Sequence, residues 1–448
     1  MKTLQQIAAE LQGYDPQALS AEQVLAFLSR LVTPVQDVVE LPLFETLGRV
    51  LADDVISPFD VPPHDNSAMD GYALAGEQLS ADTSLELQVV GTALAGKAWQ
   101  GAVKPGQCVK IMTGAIMPPG LDTVVPQELV KLQQIGETSR ICIPPGLLTT
   151  GENRRLRGED LLQGTPALQK GELLTPARLG LAASLGLETL KTWRPLRVAY
   201  FSTGDEILSL GEAPREGAVY DSNRYTVFGL LSRLGCQVID LGVVRDDPAL
   251  LEAAFTRAAA QADAIITSGG VSVGEADFTK TMMKKLGDVA FWRIAMRPGR
   301  PMAVGRILPI KSASSPINTG ISSYQTNSNP DGAVLFGLPG NPVAVMVTFL
   351  AFVRPALLQM MGANAAPTPL LRARSLEAIR KKPGRTEYQR GWVSTAPDGS
   401  LHVKTTGSQG SGVLRSMAEA NGLMVLHHAQ GNVAIGDEVD VMMFDGVI

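Results

Sequence analysis

The chain has 448 residues, 45% of them hydrophobic and 19% charged. That composition supplies large apolar cores and, at roughly 100–200 residues per domain, room for three or four domains. The formal net charge of −5 argues against a general nucleic-acid surface, so any bound anion must be met by local cations or backbone N–H groups.

The opening stretch MKTLQQIAAELQGYDPQ is amphipathic and lacks an apolar signal core, and residues 3–33 carry helical periodicity. From Pro58 to about Pro145 the pattern changes to short β-like runs broken by Pro and Gly, among them LELQVVGTAL, QCVKIMTG, DTVVPQEL and SRICIPP, which predicts a small β domain. Within it, Gly91 to Lys97 nearly matches a P-loop, but Ala98 stands where a Ser or Thr would bind Mg²⁺ and no helix follows. We read it as a strand and turn. LTPARLGLAASLGL (174–187) returns to a helix, with Thr175 and Pro176 as its start and Gly186 near its end.

From Leu196 the rhythm is βαβ. LRVAYF, CQVIDLGVV, DAIITSGG and AVLFGLPG read as strands. Arg224–Leu234 and Pro248–Gln261 read as helices, and NPVAVMVTFLAFV opens another. Such alternation predicts a mostly parallel sheet with right-handed crossovers. The longest apolar run, Ala344 to Met361, is interrupted by Arg354 and Pro355 and reads as a buried helix rather than a membrane span. Residues 310–331, rich in Ser, Asn, Thr and Gly, read as a mobile surface loop without a catalytic role. Beyond about residue 366 the pattern is β again. Cys108, Cys142 and Cys236 are scattered and fit reduced thiols of the cytoplasm. His427 and His428 are adjacent on a predicted strand, face opposite ways and do not form a chelating pair.

Four polar clusters follow predicted strands of the α/β region: Ser202-Thr203-Gly204-Asp205-Glu206; Arg245-Asp246-Asp247; Ser268-Gly269-Gly270 through Glu275 and Asp277; and Leu338-Pro339-Gly340-Asn341-Pro342. In an open parallel sheet the strand C-termini form one rim, where ligands bind. Glycines there let a backbone approach a phosphate, and helix N-termini aim N–H groups at it. Glu206, Asp246 and Asp277 would repel an anion unless a Mg²⁺ with oxygen ligands or the nearby Arg297 and Arg300 intervene. Any one cluster alone is readily an ordinary capped turn; all four on one rim point to a site.

The string DNSAMDGY (65–72) is distinctive, and KIMTGA, ENRRLRGED, STGDEI, YDSNRY, TSGGVSVGEADF, MRPGRP, GLPGNPVA and RTEYQRG through GSQGSGVLRSMAEANGL accompany it. Together they resemble the MoeA/gephyrin family of molybdopterin molybdenumtransferases over nearly the whole chain. The resemblance implies a multidomain α/β plus β fold. Its centre is a doubly wound, mostly parallel α/β domain of molybdopterin-binding type, accompanied by a small β domain, a connecting domain and a C-terminal β-barrel-like domain. Laid over the patterns above, this gives a helical and connecting segment at 1–56, an inserted β domain at 57–153, a return connecting segment at 154–193, the α/β domain at 194–365 and the C-terminal β domain at 366–448.

The activity so implied is the last step of molybdenum cofactor synthesis. Molybdate enters adenylylated molybdopterin, the pyrophosphate is cleaved with Mg²⁺ assistance, and AMP leaves. Carried over motif by motif, the catalytic positions are Asp70, Glu206, Asp246 and Asp277, the last three being metal ligands. Substrate contacts fall on Thr113, Arg155, Asp160, Ser202, Thr203, Gly204, Gly269, Gly270, Arg293, Arg297, Arg300, Pro339, Pro342 and, with less support from its motif, Ser411. The resemblance further implies a cytoplasmic homodimer, Asp70 completing the site across the dimer cleft. It also implies contact with a molybdopterin adenylyltransferase, and neither nucleic-acid nor membrane binding. Arg293 and Arg297 stand where bacterial relatives often carry lysine; the charge stays, but a planar fork replaces a point charge. His64 stands where an aromatic is common, and the 310–331 stretch looks inserted, which bears on access to the site. Two rivals differ in class. An adenylyltransferase on the same α/β module would consume ATP, and a non-catalytic scaffold would not need the acidic residues retained here.

Overall fold

The computed structural model describes residues 2–271, 278–309, 332–364 and 366–444. The chain forms two compact units, one of Met1–Ala52, Gly171–Thr175 and Thr189–Ile448, the other of Asp53–Lys170 and Pro176–Glu188. Residues 272–277 and the 310–331 stretch, with the expectations placed on them, lie outside the described residues.

At the centre of the first unit is a six-stranded sheet. Its strands are β1 (Arg197–Thr203), β2 (Gln237–Val244), β3 (Ala264–Ser268), β4 (Gly287–Arg293), β5 (Pro301–Ile307) and β6 (Ala333–Leu338), in the spatial order β2-β1-β3-β6-β5-β4. β2, β1, β3 and β6 run parallel, whereas β5 runs against both its neighbours. The strands read as continuous apolar runs because both faces are covered. Along β1, Val198 and Tyr200 enter one core while Ala199 and Phe201 enter another. Helices α1 (Ser222–Arg233) and α4 (Pro342–Met360) cover the first face; α2 (Pro248–Gln261) and α3 (Phe278–Leu286) cover the second.

Local chemistry fixes the helix ends. The Asp221 side chain caps α1 through the Arg224 N–H at 3.1 Å. Asp247 accepts from Ala249 N at 2.9 Å and Leu250 N at 3.0 Å, with Pro248 in the first turn of α2. The 19-residue α4 is long and apolar enough to cross a bilayer, yet 78% of its most apolar window is buried within the protein, as a core helix. Its Pro355 can neither donate an N–H nor tolerate the regular carbonyl four residues back. The helix widens to a π turn at Phe349–Val353, which ends two residues before it.

The same unit carries a closed five-stranded barrel of β7 (Leu371–Ser375), β8 (Thr386–Thr395), β9 (Leu401–Thr405), β10 (Gly422–Leu426) and β11 (Glu438–Met443), ordered β8-β9-β7-β11-β10 and back to β8. Val393, Val403, Met424, Leu426 and Val441 fill it. The segment Met296–Arg297 adds to it by pairing with Thr386 and Glu387 of β8. The amphipathic N-terminus is two helices, Leu4–Ala9 and Ala21–Leu31, rather than one continuous periodic stretch. Gly13, with φ +65°, and Pro16 divide them, and Phe27 meets Trp292 edge-on at 4.9 Å. Val38–Pro42 and Thr189–Trp193 form the antiparallel pair that leads out to the other unit and back.

In the second unit six strands pair in the order Thr123–Pro126, Gly71–Leu74, Gln107–Ile111, Leu85–Ala93, Thr138–Ile143, Lys131–Ile135. Leu85–Ala93 and the turn after it occupy the P-loop-like string, as a strand and turn.

Candidate active site

Parallel strands end on one rim, so segments far apart in sequence meet there. A cleft of about 1230 Å³ opens on this rim. Its walls include Ser202, Thr203, Gly204 and Glu206 after β1, Asp246 after β2, Ser268, Gly269 and Gly270 at the end of β3, and Pro339–Pro342 after β6. Because β5 is reversed, its start lies on the same rim and brings Arg297 and Arg300 to the cleft. Ser411 arrives on the barrel loop between β9 and β10 and accepts from the Val343 N–H of α4 at 3.1 Å. Thus most positions singled out in this half of the sequence share one cavity. Arg293 ends β4 outside its lining, with its backbone tied to Pro16 and Leu19, and Asp277 lies outside the described residues.

The turn after β3 needs glycine. Gly269 and Gly270 have φ of +92° and +63°, and a Cβ at Gly269 would sit 2.5 Å from the Thr203 carbonyl oxygen. This tightness presses the β1 and β3 loops together, while Gly269 N donates to Leu338 O at 3.1 Å and so joins the β6 loop to them. Asn223 of α1 donates to the Gly340 carbonyl at 2.7 Å. The cleft is therefore ringed by backbone that side chains cannot obstruct, with acidic groups from β1 and β2 and arginines from the start of β5.

Two residues that pattern alone did not single out support the wall, Arg385 within its lining and Arg390 behind it. Arg385 is held against buried Glu387 at 2.7 Å. Arg390, fully buried, donates to Ser416 Oγ at 3.0 Å and to the carbonyls of Ser408, Gln409 and Gly410 at 3.0, 3.3 and 2.9 Å. Its guanidinium clamps the loop that carries Ser411. Burial, with the charge of Arg297 nearby, pulls its pKa down to about 10.

The second unit gathers three motifs of its own. Gly71 pairs with Ile111 in antiparallel register, so the start of one strand faces the end of the other and Asp70 meets Thr113. Asp70 Oδ1 accepts from Thr113 N at 2.7 Å and Thr113 Oγ1 at 2.8 Å. These two bonds, with Lys110 beside them, hold the Asp70 carboxyl below its usual range. Ser67 N donates to Ala115 O at 2.9 Å and Gly114 N to Ser67 O at 2.8 Å. Arg154–Arg155 pairs with Asn66–Ser67. Arg155 is exposed, 3.8 Å from Glu159, and Asp160 N donates to Val61 O at 3.0 Å.

Three family models together span most of the chain: the MoeA N-terminal region (domains I and II) over residues 19–186, a probable molybdopterin binding domain over 199–359, and the MoeA C-terminal region (domain IV) over 372–444. The molybdopterin molybdenumtransferase of Haemophilus influenzae is 39% identical over 409 residues, covering 91% of this chain and 94% of that one. The chain belongs to the MoeA family of molybdopterin molybdenumtransferases. The molybdopterin molybdenumtransferase of a Nostoc species is 35% identical over 91% of this chain and 89% of its own. A crystal structure of the molybdopterin biosynthesis MoeA protein from Pyrococcus horikoshii superposes with a TM-score of 0.76 at 25% identity, covering 95% of this chain and all of that one. The expected α/β plus β fold is thus the MoeA fold, and the chemistry of the family concerns molybdopterin and molybdenum.

Among the described residues no group of three or more His, Cys, Asp or Glu side chains is arranged to hold a metal ion. Glu206 and Asp246 nevertheless line one cleft. Their oxygen donors are of the hard kind that suits Mg²⁺ rather than a soft metal.

Proposed function

We propose that the protein inserts molybdate into adenylylated molybdopterin, with cleavage of the pyrophosphate bond and release of AMP, as the last step of molybdenum cofactor synthesis. One observation carries the reading: a single rim places carboxylates, arginines and glycine-lined backbone around one cavity large enough for a nucleotide-bearing pterin. A ligand with a pyrophosphate and an incoming tetrahedral dianion needs cations and N–H donors together. Arg297 and Arg300 supply the former; Gly204 N and Gly269 N are bonded to Val244 O and Leu338 O, and the turns at Gly204, Gly269 and Gly340 let a ligand approach the neighbouring backbone closely.

Glu206, Asp246 and Asp277 would hold a Mg²⁺. Bound there, the ion would neutralise charge on the phosphoryl oxygens. The arginines orient the anionic groups, and the Arg390-clamped loop presents Ser411 at the cavity wall. Asp70, Thr113, Arg155 and Asp160 supply further contacts to the substrate. The protein acts in the cytoplasm as a homodimer and receives its substrate from a molybdopterin adenylyltransferase.

Incubation with adenylylated molybdopterin, Mg²⁺ and molybdate tests this reading, by AMP release and by cofactor able to reconstitute an apo-molybdoenzyme. Product requiring all three components is the expected result. ATP consumption without a molybdate requirement would overturn it in favour of adenylyl transfer. Sedimentation equilibrium showing only monomer at micromolar concentration would overturn the dimer.

A further inference from the structure

The floor of the cleft contains a hydroxyl cluster in which Ser202, expected above as a substrate contact, is joined by Tyr200 and Ser268, to which the reading above gives no role. Ser202 and Ser268 are register partners on the parallel strands β1 and β3, so their side chains stand side by side on one face. Tyr200 lies two residues before Ser202 on that same face. Its ring is packed in the apolar core, and its hydroxyl reaches both serines, 2.8 Å from Ser202 Oγ and 2.7 Å from Ser268 Oγ. The serine oxygens are 3.2 Å apart. All three residues are at least 98% buried, and both serines line the cleft.

We propose that Tyr200 is a positioning residue that holds Ser202 and Ser268 as a paired hydroxyl donor to one tetrahedral oxyanion, either a phosphoryl group of the nucleotide or molybdate. The inference rests on the functional reading given above, since it assigns part of that substrate to this corner of the cleft.

Proton counting supports it. Three hydroxyls carry three protons and make three mutual contacts. With the cleft empty of anion, a closed ring uses every proton internally and each oxygen is satisfied. An arriving oxyanion draws the two serine protons outward, and Tyr200 still donates to one serine. Two neutral bonds, one of them the long serine–serine contact, are exchanged for two charge-assisted ones. Burial keeps the phenol protonated, well above its ordinary pKa, so Tyr200 remains a donor at any physiological pH. Phenylalanine at this position would fill the same core volume while leaving the serines only each other, with nothing to fix their rotamers toward the cleft.

The test is calorimetric titration of molybdate, and separately of AMP with Mg²⁺, into the full-length protein and its Tyr200→Phe, Ser268→Ala and double variants. For one of the two ligands, Tyr200→Phe is expected to weaken binding roughly 3- to 10-fold, the scale of one lost hydrogen bond. The KM for that component should rise in parallel, with kcat at saturation and the melting midpoint nearly unchanged. The ligand affected identifies the oxyanion. The double variant should be weaker by less than the product of the single effects, because both act on one cluster. If Tyr200→Phe does not fold, the KM rise in Ser268→Ala should be reversed by Ser268→Thr, which restores the hydroxyl. Wild-type affinities in Tyr200→Phe for both ligands, single effects that multiply, or no recovery with threonine would overturn the inference alone. A wild-type protein that neither binds these ligands nor turns over would remove the functional reading and this inference with it.

Discussion

Asp70 and Glu206 are both exposed carboxylates beside a turn, but the two sheets hold them differently. In the β-rich unit an antiparallel pair sets a strand start against a strand end, so Asp70 is tied at once by the backbone and side chain of Thr113. On the parallel sheet, Glu206 and Asp246 follow the ends of adjacent strands β1 and β2, and each reaches the rim from its own loop. Antiparallel pairing produces a local, preorganised contact. Parallel pairing instead collects acidic groups from distant segments at a common edge, which suits a ligand or cation that binds several of them together.

The largest expected effect tests the parallel half. Glu206→Gln or Asp246→Asn should keep the fold and cut Mg²⁺-dependent AMP release by about 10²–10³, the usual scale for loss of one preorganised electrostatic contact. Turnover within a few-fold of wild type, with circular dichroism unchanged, would reduce the rim carboxylates to turn residues and erase the contrast with Asp70.

Next comes the barrel's contribution to the rim. Arg390→Lys keeps the charge but not the fork that reaches Ser416 and three carbonyls. It should cost about 1–3 kcal/mol in urea unfolding, because buried acceptors lose their donors. A stability equal to wild type would mean that the Ser411 loop is held without the clamp.

A smaller effect sharpens the Asp70 side. Thr113 donates to the ionised carboxylate and pulls Asp70 below its ordinary pKa of about 4. The contact therefore contributes to the folded state at neutral pH and is lost only as pH falls through that lowered value. Amide exchange at Thr113 should stay protected at pH 4 and become fast in Asp70→Ala at any pH. Equal protection in the variant would show that the two hydrogen bonds do not order this loop.

The smallest expected signal is at Cys108, whose thiol burial pushes up to about 12. It should resist alkylation by iodoacetamide at pH 8 in the folded protein. Rapid labelling, read by peptide mass, would show that the strand Gln107–Ile111 next to Thr113 opens easily.

Legibility in the sequence followed the range of the physics. Pro248–Gln261 is readable at both ends because Asp247 and Pro248 mark its start within two residues. Strand-end clusters such as Ser202–Glu206 are readable because the βαβ rhythm places them on one rim. The reversal of β5 is not, since Pro301–Ile307 is mostly apolar like the parallel strands of the same sheet and direction is set by pairing. Closure of the barrel through β8 and β10 joins residues as far apart as Glu387 and Leu426 and leaves no local trace. Arg390 looks like a surface cation on an alternating strand; only its distant carbonyl partners reveal it as buried. The Tyr200–Ser202 spacing is visible as a shared face, but Ser268 joins them only through register.

The reversed strand has one more consequence, for how the molecule tolerates change in length. Ile307 and Ala333 are register partners where β5 ends and β6 begins, and that end of the pair is opposite to the rim where Pro301 and Pro339 border the cleft. Both anchors of the intervening segment therefore sit at the far edge of the sheet. Residues can be added or removed between them without displacing any strand end that carries a site residue, and the entropic cost grows only slowly with the number added. This makes the β5–β6 link a practical place for grafting a tag or reporter.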